Sequence, residues 1–306
     1  MKRIQVNNKD EVKELEGFLS YSKITSLNRD PSTAFINKST PAMEFGSLVD
    51  ALLSETKENF EEKYFIMPEF DITDKMKEFA DRFIGLYNND EEGSSDEFIE
   101  LAHESYENSL ILQARQDVCF NKQLKDETVI KQFKEACGVY IECVFMAEGK
   151  TIVSQSDYND AVKLVEMIKN GPYTKDLFEN PNYTLLWQVP FAIKTEYGNF
   201  KGIKDLVVID NINKTVRTID LKTTSSSYLK FEESYWKWRY DVQDFIYTLD
   251  NELYAVENGL MPLKTRFLIA EKSMEHYPVF FQMDDVSPIL SPKGLDSIRD
   301  LILNAN

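Results

Sequence analysis

Histidine and cysteine are the scarce residues of this 306-residue chain. It has two histidines, His103 and His276, and three cysteines, Cys119, Cys137 and Cys143, with no Cys-x-x-Cys pair. Two histidines nearly exclude imidazole-built zinc sites and Ser-His-Asp triads. An odd set of unpaired cysteines argues against a disulfide framework and against four-thiolate metal or iron–sulfur sites, which leaves buried free thiols. Any resident metal must rest mainly on oxygen ligands, which points to magnesium or manganese. Long apolar runs are missing too: no stretch approaches the roughly 18 residues of a membrane span. The start, Met1-Lys2-Arg3 followed by polar residues, has no signal-peptide core. A soluble, cytoplasmic protein without membrane contact is expected. Neither a Pro/Gly/Ser-rich linker nor an internal repeat divides the chain. One domain over 1–306 is therefore expected, with 1–175 mainly helical and 176–290 forming a sheet core.

What is abundant is negative charge. The net charge of −17 lacks the basic footprint that phosphate binding usually leaves, but the excess is local. From Asp90 to Glu107 there are eight acids and no Lys or Arg, a solvated segment or a docking surface for a basic partner. Around residue 220 the balance reverses, with Lys214, Arg217, Lys222, Lys230, Lys237 and Arg239 set against Asp220, Glu232 and Glu233.

Hydrophobic periodicity outlines the elements. Residues 8 to 30 read as a helix and turn that stops at Asp30-Pro31. After Pro41, Phe45, Leu48, Val49, Leu52 and Leu53 recur at helical spacing, with Gly46 and Asp50 on another face. Helical patterns follow over 73 to 87, 97 to 135 and 156 to 170, the last ended by Gly171-Pro172. The period then changes to the β-branched and aromatic runs Thr184 to Lys194, Asn199 to Ile209 and Thr215 to Leu221, a three-strand meander. A long helix is expected from Phe231 to Asn258, then strands over Thr265 to Ala270 and Tyr277 to Met283, and a short helix from Pro292. This order describes an α/β (α+β) fold: a mixed central sheet of about five strands flanked by helices, with a helical N-terminal half.

Asp205 falls on the second strand of the meander and Asp220 near the end of the third, close enough across a strand pair to share a hard cation. The Leu221 carbonyl could add an oxygen, and Lys222 faces the same way as Asp220, placed to orient a water or to stabilise the charge of a phosphorane. On the following helix Trp236, Tyr240, Gln243 and Tyr247 share one stripe, with Gln243 suited to holding Lys222 or the attacking water. Tyr235, Trp238, Val242, Phe245 and Leu249 form a second stripe, read as core. Two acids, a lysine two residues after the second and a helical glutamine suit phosphodiester cleavage.

Taken together, Gly46-Ser47-Leu48-Val49-Asp50, Asp205, Asp220-Leu221-Lys222 and Gln243-x-x-x-Tyr247 resemble the ordered motifs of the PD-(D/E)XK nuclease superfamily, in the branch of lambda exonuclease and the RecE-type exonuclease VIII domain. The resemblance runs from about Tyr21 to Met283. It implies a restriction-endonuclease-like core and a Mg²⁺- or Mn²⁺-dependent exonuclease that shortens linear double-stranded DNA in the 5′ to 3′ direction. Asp50, Asp205, Asp220 and Leu221 would hold one or two ions, with Asp205, Asp220, Lys222 and Gln243 as catalytic residues. Lys230, Lys237 and Arg239 would contact phosphates, with Tyr240 and Tyr247 nearby, and Arg29 is a candidate for the 5′-phosphate. Relatives are phage-encoded, form rings around DNA in the bacterial host cytoplasm, and act with a single-strand annealing protein in recombination.

Two positions depart from the RecE-type pattern. Asp50 replaces a histidine, and Gln188, in Trp187-Gln188-Val189-Pro190, stands where relatives often carry a glutamate. Two other readings remain open. One is an endonuclease or repair nuclease of the same fold acting on single strands, flaps or junctions. The other is a silent site on a protein-binding or DNA-mimic module.

Overall fold

The computed structural model describes residues 1–29, 39–88 and 100–283, the side chains of 28 and 100–103 aside. The Asp30-Pro31 stop, most of the acidic segment and the helix expected from Pro292 lie outside the described residues. In chain order the elements are β1 (Lys2–Ile4), α1 (Lys9–Glu14), α2 (Tyr21–Arg29), α3 (Pro41–Ser54), α4 (Lys57–Lys63), β2 (Tyr64–Met67), α5 (Asp74–Asn88), α6 (Glu100–Asp117), α7 (Asp126–Met146) and β3 (Thr151–Ser154). They continue with α8 (Gln155–Asn170), α9 (Lys175–Glu179), β4 (Tyr183–Lys194), β5 (Asn199–Asp210), β6 (Thr215–Thr224), α10 (Phe231–Lys237), α11 (Tyr240–Asn258), β7 (Met261–Pro262), β8 (Arg266–Glu271) and β9 (Val279–Phe281).

The chain divides into two compact units, Met1–Thr56 with Asn159–Asn306, and Lys57–Tyr158. The second unit is a helical body around Phe79, Phe83, Ile111, Val129, Phe133 and Cys137, with a parallel pair of β2 and β3. The single helical pattern expected over 97 to 135 is two helices. At their junction the buried Arg115 guanidinium donates to the carbonyls of Phe120, Asn121 and Leu124, so the turn's backbone acceptors are satisfied where the helix stops. All three cysteines are free thiols, two of them buried. Among the described residues no helix is long and apolar enough to cross a membrane.

The first unit is a mixed α/β structure. Its sheet runs β1-β4-β5-β6-β8-β9, with β7 paired to β6, seven strands where about five were expected. The two additions, β1 and β7, are three and two residues long, too short for period-two alternation to register. Strands β4, β5 and β6 are the antiparallel meander. The chain then crosses over through α10 and α11 and returns as β8, parallel to β6. This crossover lays α11 against the sheet, where Val242, Phe245, Ile246 and Leu249 join Phe191, Ile193, Phe200, Phe267 and Ile269 in one core.

The long helix expected from Phe231 to Asn258 is broken. Arg239 sits in the left-handed region at φ 62° between α10 and α11, and Tyr21 Oη closes the break by donating to the Trp238 carbonyl at 2.6 Å. Trp238, read as core, is instead 40% exposed.

Candidate active site

Strand β6 exchanges partners at the centre of the sheet. It pairs with β5 from Asp210↔Thr215 as far as Leu206↔Ile219, and with β8 from Ile219↔Arg266 onward. One step past the last β5–β6 pair stand Asp205 and Asp220. The strands separate there, and the Asp205 carboxylate bridges the gap by accepting the Leu221 N–H at 2.8 Å. Across from Asp205, between the pairs Trp187↔Leu206 and Val189↔Lys204, Gln188 adopts φ 52°. Leu186 and Val189, three residues apart, consequently pack on one cluster, where regular alternation would put them on opposite faces. A non-glycine residue in this region stores strain, and such outliers concentrate at functional sites.

Helix α3 brings the third carboxylate. Thr40 caps its N-terminus by accepting the Met43 N–H, and Pro41 occupies the first turn, both favourable there. Phe45, Leu48, Val49, Ala51 and Leu53 are buried, and Asp50 lies beside that face. Gly46 permits the approach to β6, because a Cβ there would lie 3.0 Å from Thr223 Oγ1. Gln188 Nε2 donates to both Asp50 oxygens, at 2.8 and 2.6 Å.

Helix α11 completes the cluster with a polar stripe buried against the sheet. Gln243 Nε2 donates to Asp220 Oδ1 at 2.8 Å and contacts Tyr247 Oη at 2.9 Å, while Tyr247 Oη donates to the Ile203 carbonyl at 3.1 Å. One turn further on, Lys204 Nζ meets Asp250 Oδ2 at 2.6 Å and Asn251 Oδ1 at 2.7 Å, and Thr218 Oγ1 donates to the same Asn251 oxygen. Arg3 closes the network on the other Asp250 oxygen at 2.7 Å. This buried pair ties β5 to α11 next to Asp205. The composition of positions 204, 250 and 251 carried no signal of it, because their spacing along the chain says nothing about contact.

Lys222 pairs with Asp220 Oδ2, and its ammonium lies 4.8 Å over the Tyr240 ring and 5.9 Å over that of Phe267. Burial works against the Lys222 charge, but Asp220, Tyr240 and Asp205 outweigh it and raise the pKa. The Asp205 carboxyl is pushed well above the usual carboxylate range, by burial first and then by Asp220 and Asp50, against the pull of Lys222 and the Leu221 N–H. For Asp50 burial dominates, Lys9 and Gln188 counteract it and Asp220 adds to it, leaving a pKa of about 6. The Asp220 carboxylate thus adds to the proton affinity of both Asp205 and Asp50, with one ammonium beside them.

Asp50, Asp205, Asp220, Leu221, Lys222 and Gln243 therefore lie in one cluster. Gln243 holds Asp220 and not Lys222: its amide nitrogen donates to Asp220 Oδ1. Leu221 contributes its N–H to the cluster through Asp205, where its carbonyl was the atom expected. Tyr247, expected near DNA, is buried at 5% exposure and supports Asp220 from beneath. Arg239 is half-buried and spends its guanidinium on Asp241, at 2.8 to 3.2 Å. Lys230 and Lys237 are exposed, and Tyr240 flanks Lys222. Arg29 stacks over Trp238 at 4.8 Å.

In donor chemistry the cluster fits a hard divalent cation: three carboxylates whose mutual repulsion such an ion relieves. Among the described residues, however, no three His, Cys, Asp or Glu side chains already form a metal-holding group. Each carboxylate is engaged, Asp50 by Gln188, Asp205 by Leu221 and Asp220 by Lys222, Gln243 and Tyr247.

The chain matches no protein-family model and no curated protein. Among solved structures it is similar to a crystal structure from Eubacterium rectale described as a "Putative exonuclease", with 19% identity, a TM-score of 0.34 and coverage of 82% of this chain and 85% of that one. A likeness at that score carries no functional argument.

Proposed function

We propose that the chain is a metal-dependent phosphodiester hydrolase acting on DNA. The observation that carries this reading is the fork of β5 and β6, where Asp205 and Asp220 diverge beneath Asp50 with Lys222 two residues beyond. Asp50, Asp205 and Asp220 would hold one or two Mg²⁺ or Mn²⁺ ions, supplying Lewis-acid stabilisation of charge on phosphate oxygens and on the leaving oxygen. Lys222, freed from Asp220 by competition with the ion, would orient the attacking water or donate to the phosphate. Gln243 and Tyr247 fix Asp220 and act as positioning residues.

The finer reading is a 5′ to 3′ exonuclease on linear double-stranded DNA, a homo-oligomeric ring working with a single-strand annealing protein in phage-type recombination in the host cytoplasm. It rests on the motif resemblance. Exposed Lys230 and Lys237 remain candidates for phosphate contact, whereas Tyr247 and the ion-paired Arg239 are withdrawn from that role.

The test is nucleotide release from linear duplex DNA with Mg²⁺. Asp220→Ala and Lys222→Ala should each lower it by about 10²–10⁴-fold, the range for loss of a group acting on the reacting atoms. Undiminished release by both variants would refute the mechanism. Covalently closed circular DNA should stay intact; its cleavage would move the reading to an endonuclease.

A further inference from the structure

The sheet face turned away from α11 carries a second cluster that the hydrolytic site does not use. Between α9 and strands β4, β6, β8 and β9 lies a cavity of about 360 Å³. Arg217 of β6 and Arg266 of β8 line it side by side. Arg217 Nη1 and Arg266 Nε donate to one acceptor, Gln282 Oε1, at 2.8 and 3.1 Å. Among the described residues neither arginine makes an ion pair, and their remaining N–H groups find no protein acceptor. Two guanidiniums on one neutral oxygen repel each other in a half-buried place, and the Arg217 pKa falls to about 10, through burial first and then through Arg266. An anion between them would relieve that repulsion.

The cavity also borders two carboxylates. Asp210 is committed to its own turn, accepting from the Ile212 and Asn213 N–H groups and the Asn213 amide. Asp176 is exposed on α9. Neither is paired with the arginines, whose side-chain hydrogen bonds among the described residues go to Gln282 alone.

We propose that this cavity binds a phosphate group carried by a small ligand, with Arg217 and Arg266 as its two-sided clamp. A phosphate has enough oxygens to satisfy two planar forks at once, whereas a carboxylate matches one. The volume lies in the small-molecule range of about 300–1,000 Å³ and exceeds a bare phosphate. Tyr173, Tyr183 and Phe280 in the lining offer aromatic surface to the remainder of the ligand. A nucleoside monophosphate has the required size and chemistry. The site lies on the other side of the sheet from Asp220 and does not depend on the hydrolase reading.

Isothermal titration calorimetry on the full chain in EDTA tests it, with deoxyadenosine 5′-monophosphate, deoxyadenosine, inorganic phosphate and a short single-stranded oligonucleotide as probes. The monophosphate should bind and the nucleoside should not. Arg217→Gln and Arg266→Gln should each weaken binding by about tenfold or more, as for a lost charge-assisted hydrogen bond. Arg217→Lys, which keeps the charge and removes the fork, serves if the glutamine variant does not fold. Arginine-dependent binding of inorganic phosphate as tight as the monophosphate identifies free phosphate as the ligand. Arginine-dependent preference for the oligonucleotide identifies a strand phosphate, and either result supports the clamp. The proposal is overturned by heat that survives in folded arginine variants, by binding lost only in Lys222→Gln, or by no binding of any phosphate-bearing probe.

Discussion

Replacing Asp50 by Asn should stabilise the metal-free protein at neutral pH while removing its response to metal. The Asp50 pKa is raised from 3.8 to about 6 in the folded state, so the folded chain holds a proton there that the unfolded chain has released. Stability from that proton is fully present below about pH 4 and is lost as pH rises through about 6. At 1.36 kcal/mol per pH unit, two units correspond to roughly 3 kcal/mol as an upper bound. An asparagine carries no such penalty and keeps one oxygen for the Gln188 amide. In EDTA, Asp50→Asn should match the wild type near pH 4 and exceed it by on the order of 1–3 kcal/mol at pH 8. Thermal unfolding should show this as a rise of several degrees, at roughly 2–4 °C per kcal/mol. Added Mg²⁺ or Mn²⁺ should raise the wild-type midpoint, because a ligand that binds only the folded state stabilises it by mass action, and should raise the variant's far less. A variant less stable than wild type at pH 8 without metal, or one with the same pH slope, would refute the claim that burial and neighbouring carboxylates load this group.

Two further predictions concern the supports of the cluster. Lys204→Met leaves Asp250, 1% exposed, with Arg3 as its remaining cation, and should cost about 3–5 kcal/mol, as for other broken buried pairs. A loss below about 1 kcal/mol in chemical denaturation would show that Arg3 alone satisfies Asp250. Gln188→Glu places a second carboxylate against Asp50, so it should lower the stability of the metal-free protein at pH 8 and tighten Mn²⁺ binding by calorimetry. Weaker Mn²⁺ binding would mean that position 188 faces away from the ion site.

Much of the cluster was readable along the chain because two periodicities carried it. Alternation on β6 puts Asp220 and Lys222 on one side, and the i, i+4 spacing on α11 puts Tyr247 beneath Gln243. What could not be read were the departures from regularity. The break at Arg239 turns one expected helix into two, and it exposes Trp238. The left-handed Gln188 reverses strand alternation beside Asp205. The aspartate at 250 and the lysine at 204 look like surface charges in sequence, because a charge is expected to be solvated unless a partner from another element meets it.

By itself the sequence determined the order of the main helical stretches and of strands β4, β5, β6, β8 and β9, a ligand inventory made mainly of oxygen and the one-sided placement of Asp220 and Lys222, since all follow from composition and local periodicity. Tertiary structure decided the rest: that β6 changes partners at Ile219, one step before Asp220, that Gln188 closes on Asp50, and that Arg217 and Arg266 share a cavity on the far face of the sheet. These are contacts between residues tens to hundreds of positions apart, set by strand register and crossover, which no local pattern encodes.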